Sequence, residues 1–245
     1  MKTLIFTTAV NTEGRTIKDS DIFDVARLTW EHYCERHGAD FYVIDEPQHP
    51  NTSPHWFRYW IFDLKPGYDR YMYIDTDILA KWDAPNIFEE LPEGDIYAVK
   101  DNGGLSWIWE GINAYQSMFP GVYLDWDKYF NSGMLLFDKS HEKLFQAFKQ
   151  FYIDNQEGIQ KYRDTYRKGH DQTIFNYFLL YAGIEVKLVS EKWNLFHMIR
   201  REILYNGYFA SMGYFWHFNG LERKTQVQLI QNVWSQISKN YTNEG

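Results

Sequence analysis

Cysteine is almost absent from this chain of 245 residues, which contains a single one, Cys34. One cysteine cannot form an internal disulfide, and it is too few for a cysteine-rich zinc site. Cys34 falls on the apolar side of a predicted helix, and a free cysteine in such surroundings usually packs as a small hydrophobic residue. We therefore expect a buried, unreactive thiol.

Long apolar runs are also missing. No segment approaches the roughly 18 consecutive apolar residues that span a bilayer. The first strand-like run is centred on Leu4, Ile5 and Phe6, which is too short for the core of a signal peptide. The expected protein is cytoplasmic and has no integral membrane segment.

Positive charge is in deficit. The chain has 25 lysines and arginines against 33 aspartates and glutamates, and its formal net charge is −8. Because nonspecific binding to nucleic acid requires basic side chains that neutralise phosphates, this balance argues against a nucleic-acid partner. The basic stretch at residues 161–168 is interpreted as a solvated helical face, with a patch for an anionic partner as the alternative.

Aromatic residues, in contrast, make up 19% of the chain, and hydrophobic residues make up 44%. These proportions exclude a disordered protein. A chain of this length can bury about 70–75% of its unfolded surface, so it needs no disulfides to be stable.

Predicted strands alternate with predicted helices along the sequence. Apolar runs indicate strands at residues 4–10, 41–45, 71–79, 96–101, 134–137 and 186–189. Helices are indicated at residues 20–38, 55–64, 140–153, 171–181 and 225–237, the last with a capping box at Thr225 and Gln228. In residues 102–130 the apolar residues recur with neither helical nor strand spacing. The alternation predicts an α/β fold with a mainly parallel central sheet flanked by helices.

Three Asp-x-Asp triplets offer paired carboxylates, the ligands that magnesium and manganese prefer. Asp75-Thr76-Asp77 follows the most apolar predicted strand. Ligands of α/β sheets bind beyond the carboxyl ends of the strands, and two acids placed there without a cation would repel each other. We therefore predict that Asp75 and Asp77 bind a metal. The triplets that begin at Asp19 and Asp125 are assigned to caps or turns.

A second candidate site lies near the C-terminus, where His217 is followed by Gly220, Arg223 and Lys224. A lone histidine among aromatic residues is more often part of the core. A glycine, however, lets backbone amides approach a phosphate, and a cation offsets the phosphate charge. A nucleotide diphosphate needs a metal, an amide-rich turn and a cation together, so this segment is a candidate for binding one.

These motifs together resemble glycosyltransferase family 8, the glycogenin-like and lipopolysaccharide-galactosyltransferase-like enzymes with the GT-A fold. Five motifs occur in the family's order, namely Arg58, Asp75-Thr76-Asp77, Asn131-Ser132-Gly133, His170-Asp171-Gln172, and His217-x-x-Gly220 with a following cation. Each motif is weak alone, whereas the ordered set, which spans roughly residues 1–225, is fairly specific. The resemblance implies a single GT-A domain over residues 1–245, with a nucleotide-binding half (1–101), a variable acceptor-side segment (102–130) and a sugar and acceptor half (131–245).

The resemblance also implies an activity and a role for each motif. The enzyme would move a hexose from a nucleotide-diphosphate sugar, UDP-glucose or UDP-galactose, to a glycan or another hydroxyl acceptor with retention of configuration. Asp75, Asp77 and His217 would bind Mn²⁺, or Mg²⁺ in its place. Asp171 and Gln172 would be the catalytic residues near the anomeric carbon. The donor-binding residues would be Thr7, Thr8, Arg58, Asp75, Asp101, Asn131, Gly220, Arg223 and Lys224.

Two positions depart from the family pattern. Ala9 stands where the family usually places an acid that reads uracil, so the identity of the base stays open. Position 223 is Arg where a lysine would be expected, and the lysine follows at 224. The motifs also leave open two routes to retention, through a side-chain nucleophile or by entry of the acceptor on the face of the leaving group.

Tryptophans are concentrated in residues 102–130, where folds of this kind vary and select acceptors. Because sugar rings present apolar faces that pack on aromatic planes, we expect Trp107, Trp109 and Trp126 to line an acceptor site. The alternative is that these rings close over the core.

Two other functions fit parts of the pattern. A carbohydrate-binding protein without catalysis would use the aromatic residues but needs neither the metal nor the phosphate candidates. A nucleotidyltransferase on a related sheet would show a glycine-rich loop after its first strand, and residues 11–15 are a poor version of one.

Overall fold

The computed structural model describes residues 1–14, 16–167 and 170–242. Arg15, Lys168 and the side chain of His170, which belong to segments discussed above, lie outside the described residues. The strands are β1 (Thr3–Thr8), β2 (Asp40–Ile44), β3 (Arg70–Ile74), β4 (Ile78–Ala80), β5 (Ile96–Lys100), β6 (Phe130–Asp138), β7 (Val186–Val189) and β8 (Phe215–His217).

The central sheet of the described chain has the strand order β2–β1–β3–β6–β5–β7. Five of these strands point the same way, and β6 runs antiparallel to both of its neighbours. The expected α/β fold with a mainly parallel sheet is therefore confirmed. Every residue of β1, β3 and β6 is buried, as expected for central strands that are covered on both faces.

The helices are α1 (Asp21–His37), α2 (Ile61–Leu64), α3 (Ile87–Glu90), α4 (Leu105–Tyr115), α5 (Glu142–Tyr166), α6 (His170–Tyr181), α7 (Arg201–Leu204), α8 (Phe209–Met212), α9 (Arg223–Ile237) and α10 (Lys239–Thr242). Both predicted ends of α1 are confirmed. Oγ of Ser20 accepts a hydrogen bond from the backbone N–H of Phe23, and Gly38 ends the helix with φ 66°. These caps satisfy backbone groups that a helix end leaves without partners.

The single strand predicted at residues 71–79 is wrong, because the structure has two strands there. β3 ends at Ile74, and the chain turns through residues 75–77 before β4 begins. β4 leaves the central sheet and pairs antiparallel with β8, so that Ile78 lies opposite His217. Periodicity could not show this break, because both pieces are apolar and the break depends on a strand that is distant in the sequence.

Three helical predictions differ from the structure, and so does the segment for which no period was seen. Residues 55–64 form a 3-10 helix (Pro54–Trp60) that leads into α2. α5 is longer than the predicted helix. α9 begins after Glu222, so the capping box predicted at Thr225 does not form. The segment 102–130 contains α4. Its buried Ile108, Ile112 and Tyr115 follow helical spacing, but exposed Leu105 and Trp109 mask that period in the sequence.

Apolar cores lie on both faces of the central sheet. Successive strand residues point to opposite faces, so Leu4 and Phe6 belong to one core and Ile5 to the other. Cys34 is buried in the second core, which confirms its predicted environment. None of the described helices is both long enough and apolar enough to cross a bilayer.

Candidate active site

Polar side chains meet at one edge of the central sheet. Asp75 follows the carboxyl end of β3 and Asp101 follows that of β5. β6 runs the opposite way, so its first residues, 131–133, lie at the same edge. Asp171 and Gln172 reach this edge from the start of α6. Ligands of open α/β sheets bind at such an edge.

Asp75, Asp77 and His217 form a cluster at this edge. One potential ligand atom from each lies within 4.8 Å of the others. Nε2 of His217 is 3.3 Å from Oδ1 of Asp77 and 3.8 Å from Oδ2 of Asp75. The pairing of β4 with β8 produces this geometry, because it places His217 beside the residue that follows Asp77.

The ring nitrogen of His217 indicates that the cluster fits a cation. His217 is only 1% exposed, and its Nε2 has no hydrogen-bond partner in the described part of the chain. Buried polar atoms are nearly always satisfied, so an atom without a partner points to an ion or a water. Divalent metals accept two carboxylate oxygens and an imidazole nitrogen as ligands. The cluster can therefore hold a divalent metal ion.

Charges within the cluster shift two pKa values. Burial alone would lower the pKa of His217, but the negative charges of Asp77 and Asp75 outweigh burial and raise that pKa. Burial alone would raise the pKa of Asp75, but the positive charges of Arg58 and His217 outweigh burial and lower that pKa. A lowered carboxyl pKa favours the ionised form, which is the form that binds metals.

Arg58 connects two of the acids beneath the cluster. Its Nη2 lies 3.5 Å from Oδ1 of Asp75 and 3.5 Å from Oδ2 of Asp171. Its Nη1 donates to the carbonyl of Ser132 at 2.5 Å, and its guanidinium lies 3.9 Å from the ring centroid of Tyr73. Burial lowers the pKa of Arg58, but Asp171 and the other acidic neighbours outweigh it and raise that pKa. Arg58 is therefore a buried cation that holds both carboxylates in place.

Asp101, Asn131 and Gln172 form a polar group beside the cluster. Nε2 of Gln172 donates to Oδ2 of Asp101 at 2.9 Å. Oε1 of Gln172 accepts from Nδ2 of Asn131 at 3.1 Å and from the backbone N–H of Ser132 at 3.0 Å. Carboxylates and amides provide the acceptors and donors that sugar hydroxyls can bind.

Two cavities meet at Asp75. The larger one has a volume of about 520 Å³, and the smaller one, between the first turns of α1 and α9, has about 210 Å³. Predicted site residues that line the larger cavity are Arg58, Asp75, Asp101, Trp107, Asn131, Asp171, Gln172, His217 and Gly220. Those that line the smaller cavity are Thr8, Asp75, Asp77 and Arg223.

A comparison with known families identifies this arrangement. The family described as glycosyl transferase family 8 matches residues 5–225. The chain belongs to glycosyltransferase family 8. The resemblance seen in the motifs is thereby confirmed, and so is the expectation that the chain is a glycosyltransferase. No curated protein sequence matches the chain significantly.

Solved glycosyltransferases share the fold of this family member. One, involved in glycosylation of the major capsid of PBCV-1, has a TM-score of 0.62 and 14% identity over 94% of this chain and 99% of its own. The galactosyltransferase LgtC, solved with donor and acceptor sugar analogues, has a TM-score of 0.57 and 14% identity. The match covers 99% of this chain and 97% of LgtC. GlyE of Streptococcus pneumoniae TIGR4 has a TM-score of 0.53 and 13% identity. The match covers 98% of this chain and 64% of GlyE. These similarities confirm the GT-A fold.

Some predicted site residues of the glycosyltransferase lie outside both cavities. Trp109 and Trp126 are 50% and 41% exposed and, in the described chain, belong to neither cavity wall. Lys224 is exposed beside Arg223. Thr7 precedes Thr8 on β1 and is buried, and the hydroxyl groups of both threonines have no hydrogen-bond partner among the described residues.

Three residues that contact the cluster of Asp75, Asp77 and His217 were assigned no site role from the sequence. Tyr73 donates from its hydroxyl to Oδ1 of Asp75 at 2.7 Å. Gln226 donates to Oδ2 of Asp77 at 2.7 Å, and Oδ1 of Asn194 lies 2.9 Å from Nδ1 of His217. Strand spacing could have indicated Tyr73, because residues two apart on a strand share a face. No sequence signal pointed to the other two.

Proposed function

We propose that this glycosyltransferase moves a hexose from UDP-glucose or UDP-galactose to a hydroxyl group of a glycan, with Mn²⁺ as its metal, Mg²⁺ as a weaker substitute, and retention of configuration. The observation that carries the proposal is the cluster of Asp75, Asp77 and His217 at the junction of two cavities. A nucleotide-diphosphate sugar has a diphosphate between two larger groups, so it matches a metal cluster placed between two cavities.

The diphosphate would lie at the metal cluster. Mn²⁺ held by Asp75, Asp77 and His217 would supply Lewis-acid stabilisation of the departing nucleotide. Gly220 has φ 67° and lines the larger cavity, and its backbone amide would bind a phosphate oxygen. Arg223 lines the smaller cavity and Lys224 follows it. In a chain of net charge −8, phosphate binding depends on these few placed cations and the metal.

The sugar would occupy the larger cavity. Asp101 and Asn131 line it and can bind hydroxyl groups of the hexose, while Arg58 stays buried beneath and orients the acids. The nucleoside would occupy the smaller cavity, where the hydroxyl group of Thr8 has no partner among the described residues and can bind the base or the ribose. Thr7, the preceding residue of β1, lines neither cavity in the described chain, so its place in donor binding would be indirect.

Asp171 and Gln172 would orient the donor and stabilise charge at the anomeric carbon. Oδ2 of Asp171 accepts a hydrogen bond from Tyr59 at 3.1 Å and faces Arg58, and both ends of the Gln172 amide are bonded. These contacts engage Oδ2 of Asp171 and both ends of the Gln172 amide, so a side-chain nucleophile would have to be the other oxygen of Asp171, Oδ1. We favour instead entry of the acceptor hydroxyl on the face of the leaving group. The bond from the anomeric carbon to the diphosphate breaks as the acceptor oxygen bonds, and the acceptor proton passes to the departing phosphate oxygen.

The acceptor would approach past the aromatic residues of α4 and the segment that follows it. Trp107 lines the larger cavity and would contact the acceptor beside the hexose. The exposed Trp109 and Trp126 would contact only an acceptor long enough to extend beyond the cavity.

A panel of UDP-, GDP- and ADP-sugars tests the proposal. We expect slow nucleotide release from one or two UDP-hexoses with Mn²⁺, faster release with a glycan acceptor, loss of release in EDTA, and recovery when Mn²⁺ is added back. NMR of the product anomer would report retention. Unchanged release in EDTA would refute the metal requirement, and release from only GDP- or ADP-sugars would refute the choice of UDP donors.

A further inference from the structure

Asn194 lies directly behind the histidine of the metal cluster. It is fully buried, and its backbone is held between a short 3-10 turn (Glu191–Trp193) and β8. The N–H of Asn194 donates to the carbonyl of Glu191 at 3.0 Å. The next residue, Leu195, donates to Phe215 at 2.8 Å and accepts from the N–H of His217 at 3.0 Å. The side chain is therefore fixed in position beside the imidazole ring.

The orientation of the Asn194 amide follows from a backbone hydrogen bond. The N–H of Gly133 donates to Oδ1 of Asn131 at 2.8 Å, so that atom of Asn131 must be the carbonyl oxygen and not the amide nitrogen. Asn194 approaches the same oxygen at 3.2 Å. Since an oxygen can only accept here, Asn194 must present its Nδ2.

This orientation turns the other end of the Asn194 amide towards His217. Oδ1 of Asn194 is 2.9 Å from Nδ1 of the ring, and an amide oxygen has no proton to donate. Nδ1 must therefore carry the hydrogen. In a neutral imidazole the other nitrogen is then an acceptor, so Nε2 presents its lone pair to the space between Asp75 and Asp77.

We propose that Asn194 is a positioning residue that holds His217 in the Nδ1–H tautomer and so makes Nε2 a metal ligand. The inference rests on the proposed metal dependence, which it deepens. Partners of this kind behind a metal-bound histidine fix its tautomer and ring orientation, and their loss weakens metal binding by about 10–100-fold. The same amide also bonds to Asn131, so it links the metal ligand to the proposed sugar-binding group.

The tautomer can be measured without any metal. Long-range ¹⁵N–¹H NMR of the metal-free protein at alkaline pH, where the ring is neutral, distinguishes the two tautomers, and loss of a signal in His217→Gln assigns it. We expect the Nδ1–H form in the wild type. In Asn194→Leu, which has a similar size but no amide, we expect the Nε2–H form or a mixture. Asn194→Asp keeps an oxygen towards Nδ1 and should restore the Nδ1–H form.

The second measurement is the affinity for Mn²⁺. It is obtained from the electron paramagnetic resonance signal of free Mn²⁺ in the presence of UDP. Asn194→Leu should bind about 10–100-fold more weakly than wild type, whereas Asn194→Asp, which keeps the acceptor at Nδ1 but loses the donor to Asn131, should bind more tightly than Asn194→Leu. Asn176→Leu is the matched control. Asn176 is also buried and bonds to the backbone of Phe130 and Gln172, and it is not among the residues that bond to His217 in the described chain.

The two measurements separate failure of this inference from failure of the proposed function. If the wild type binds no Mn²⁺, the metal proposal is wrong, and the NMR result still decides the tautomer. If the wild type binds Mn²⁺ while Asn194→Leu keeps both the affinity and the Nδ1–H form, the role of Asn194 is wrong. Equal weakening in Asn194→Leu and Asn176→Leu would also contradict it, because a general packing defect would then explain the loss.

Discussion

A Cβ atom on Gly133 would lie 2.6 Å from Cε1 of His217. It would also lie 2.7 Å from Oδ2 of Asp75 and 2.8 Å from Oδ1 of Asn131. Distances under 3.0 Å are essentially never seen for a Cβ atom, and Gly133 has no positive φ that would add backbone strain. The backbone of β6 therefore forms the floor on which the proposed metal and sugar groups meet, and a side chain at this position must displace one of them.

Gly133→Ala should consequently abolish transfer and weaken Mn²⁺ binding while leaving the fold largely intact. Gly158→Ala is the control, because Gly158 is exposed within α5 and a Cβ there would meet nothing within 4 Å. Alanine at that helical position should stabilise the protein by up to about 1 kcal/mol. Activity, Mn²⁺ titration and thermal unfolding of both variants check this. Full activity in Gly133→Ala would show that the side chains of His217, Asp75 and Asn131 can move apart without loss.

Asp77→Asn should lower kcat/KM by at least about a hundredfold, equivalent to about 2.7 kcal/mol, because the amide removes one ligand charge. The melting temperature of the metal-free protein should change little, since relief of the repulsion between Asp77 and Asp75 offsets the lost attraction between Asp77 and His217. Asp125→Asn tests the specificity of the motif. Asp125 belongs to another Asp-x-Asp triplet and caps a short turn by accepting from the N–H of Asp127. Steady-state kinetics should show near wild-type activity for Asp125→Asn, and equal losses in both variants would contradict the assignment.

Sequence motifs could predict the cluster of Asp75, Asp77 and His217 because its members have local signatures. Asp75 and Asp77 follow an apolar strand, and His217 precedes a glycine and a cation. The central sheet was predictable for a similar reason, since its strands are continuous apolar runs. The separation of β4 from β3 was not, because it depends on pairing with β8 over a long sequence distance.

The polar residues that support the site had no local signature. Asn194 follows a tryptophan in an irregular stretch, and its role depends on contacts with Asn131 and His217 from two other strands. Gln226 lies on the first turns of α9, where a surface amide would be expected, yet it bonds to Asp77. Such contacts come from tertiary packing, which a single sequence does not encode as a repeated pattern.

Arg58→Met should destabilise the protein by about 3 kcal/mol or more, because it leaves Asp75 and Asp171 close together without their buried cation. Arg27→Met is the control, since Arg27 forms an exposed pair with Glu31 one helical turn away and such pairs contribute about 0.5 kcal/mol or less. Urea unfolding gives both free energies. Similar small changes in the two variants would show that Arg58 contributes no more than a surface charge.

Cys34 should not react with thiol reagents in the folded protein. Burial raises the pKa of its thiol to about 12, so at pH 8 only about one thiol in ten thousand is ionised, and the thiolate is the reactive form. Ellman's reagent should therefore label the native protein very slowly at pH 8 and label one equivalent in urea. The native rate should increase about tenfold per pH unit, as far as the fold persists. Rapid labelling of the native protein at pH 8 would contradict the buried environment.

Trp107→Ala should raise the KM for the acceptor about tenfold with little change in kcat, whereas Trp109→Ala should leave both constants near wild type for a short acceptor. Trp107 lines the larger cavity, and Trp109, two residues further along α4, points away from it and is half exposed. Loss of about 50 Å² of apolar contact with a sugar ring costs about 1.3 kcal/mol, and a change in KM alone indicates a contact made equally in the ground and transition states.

The KM for the donor, measured in parallel, decides which sugar Trp107 contacts. An increase confined to the donor KM would place the ring against the transferred hexose and would contradict its assignment to the acceptor.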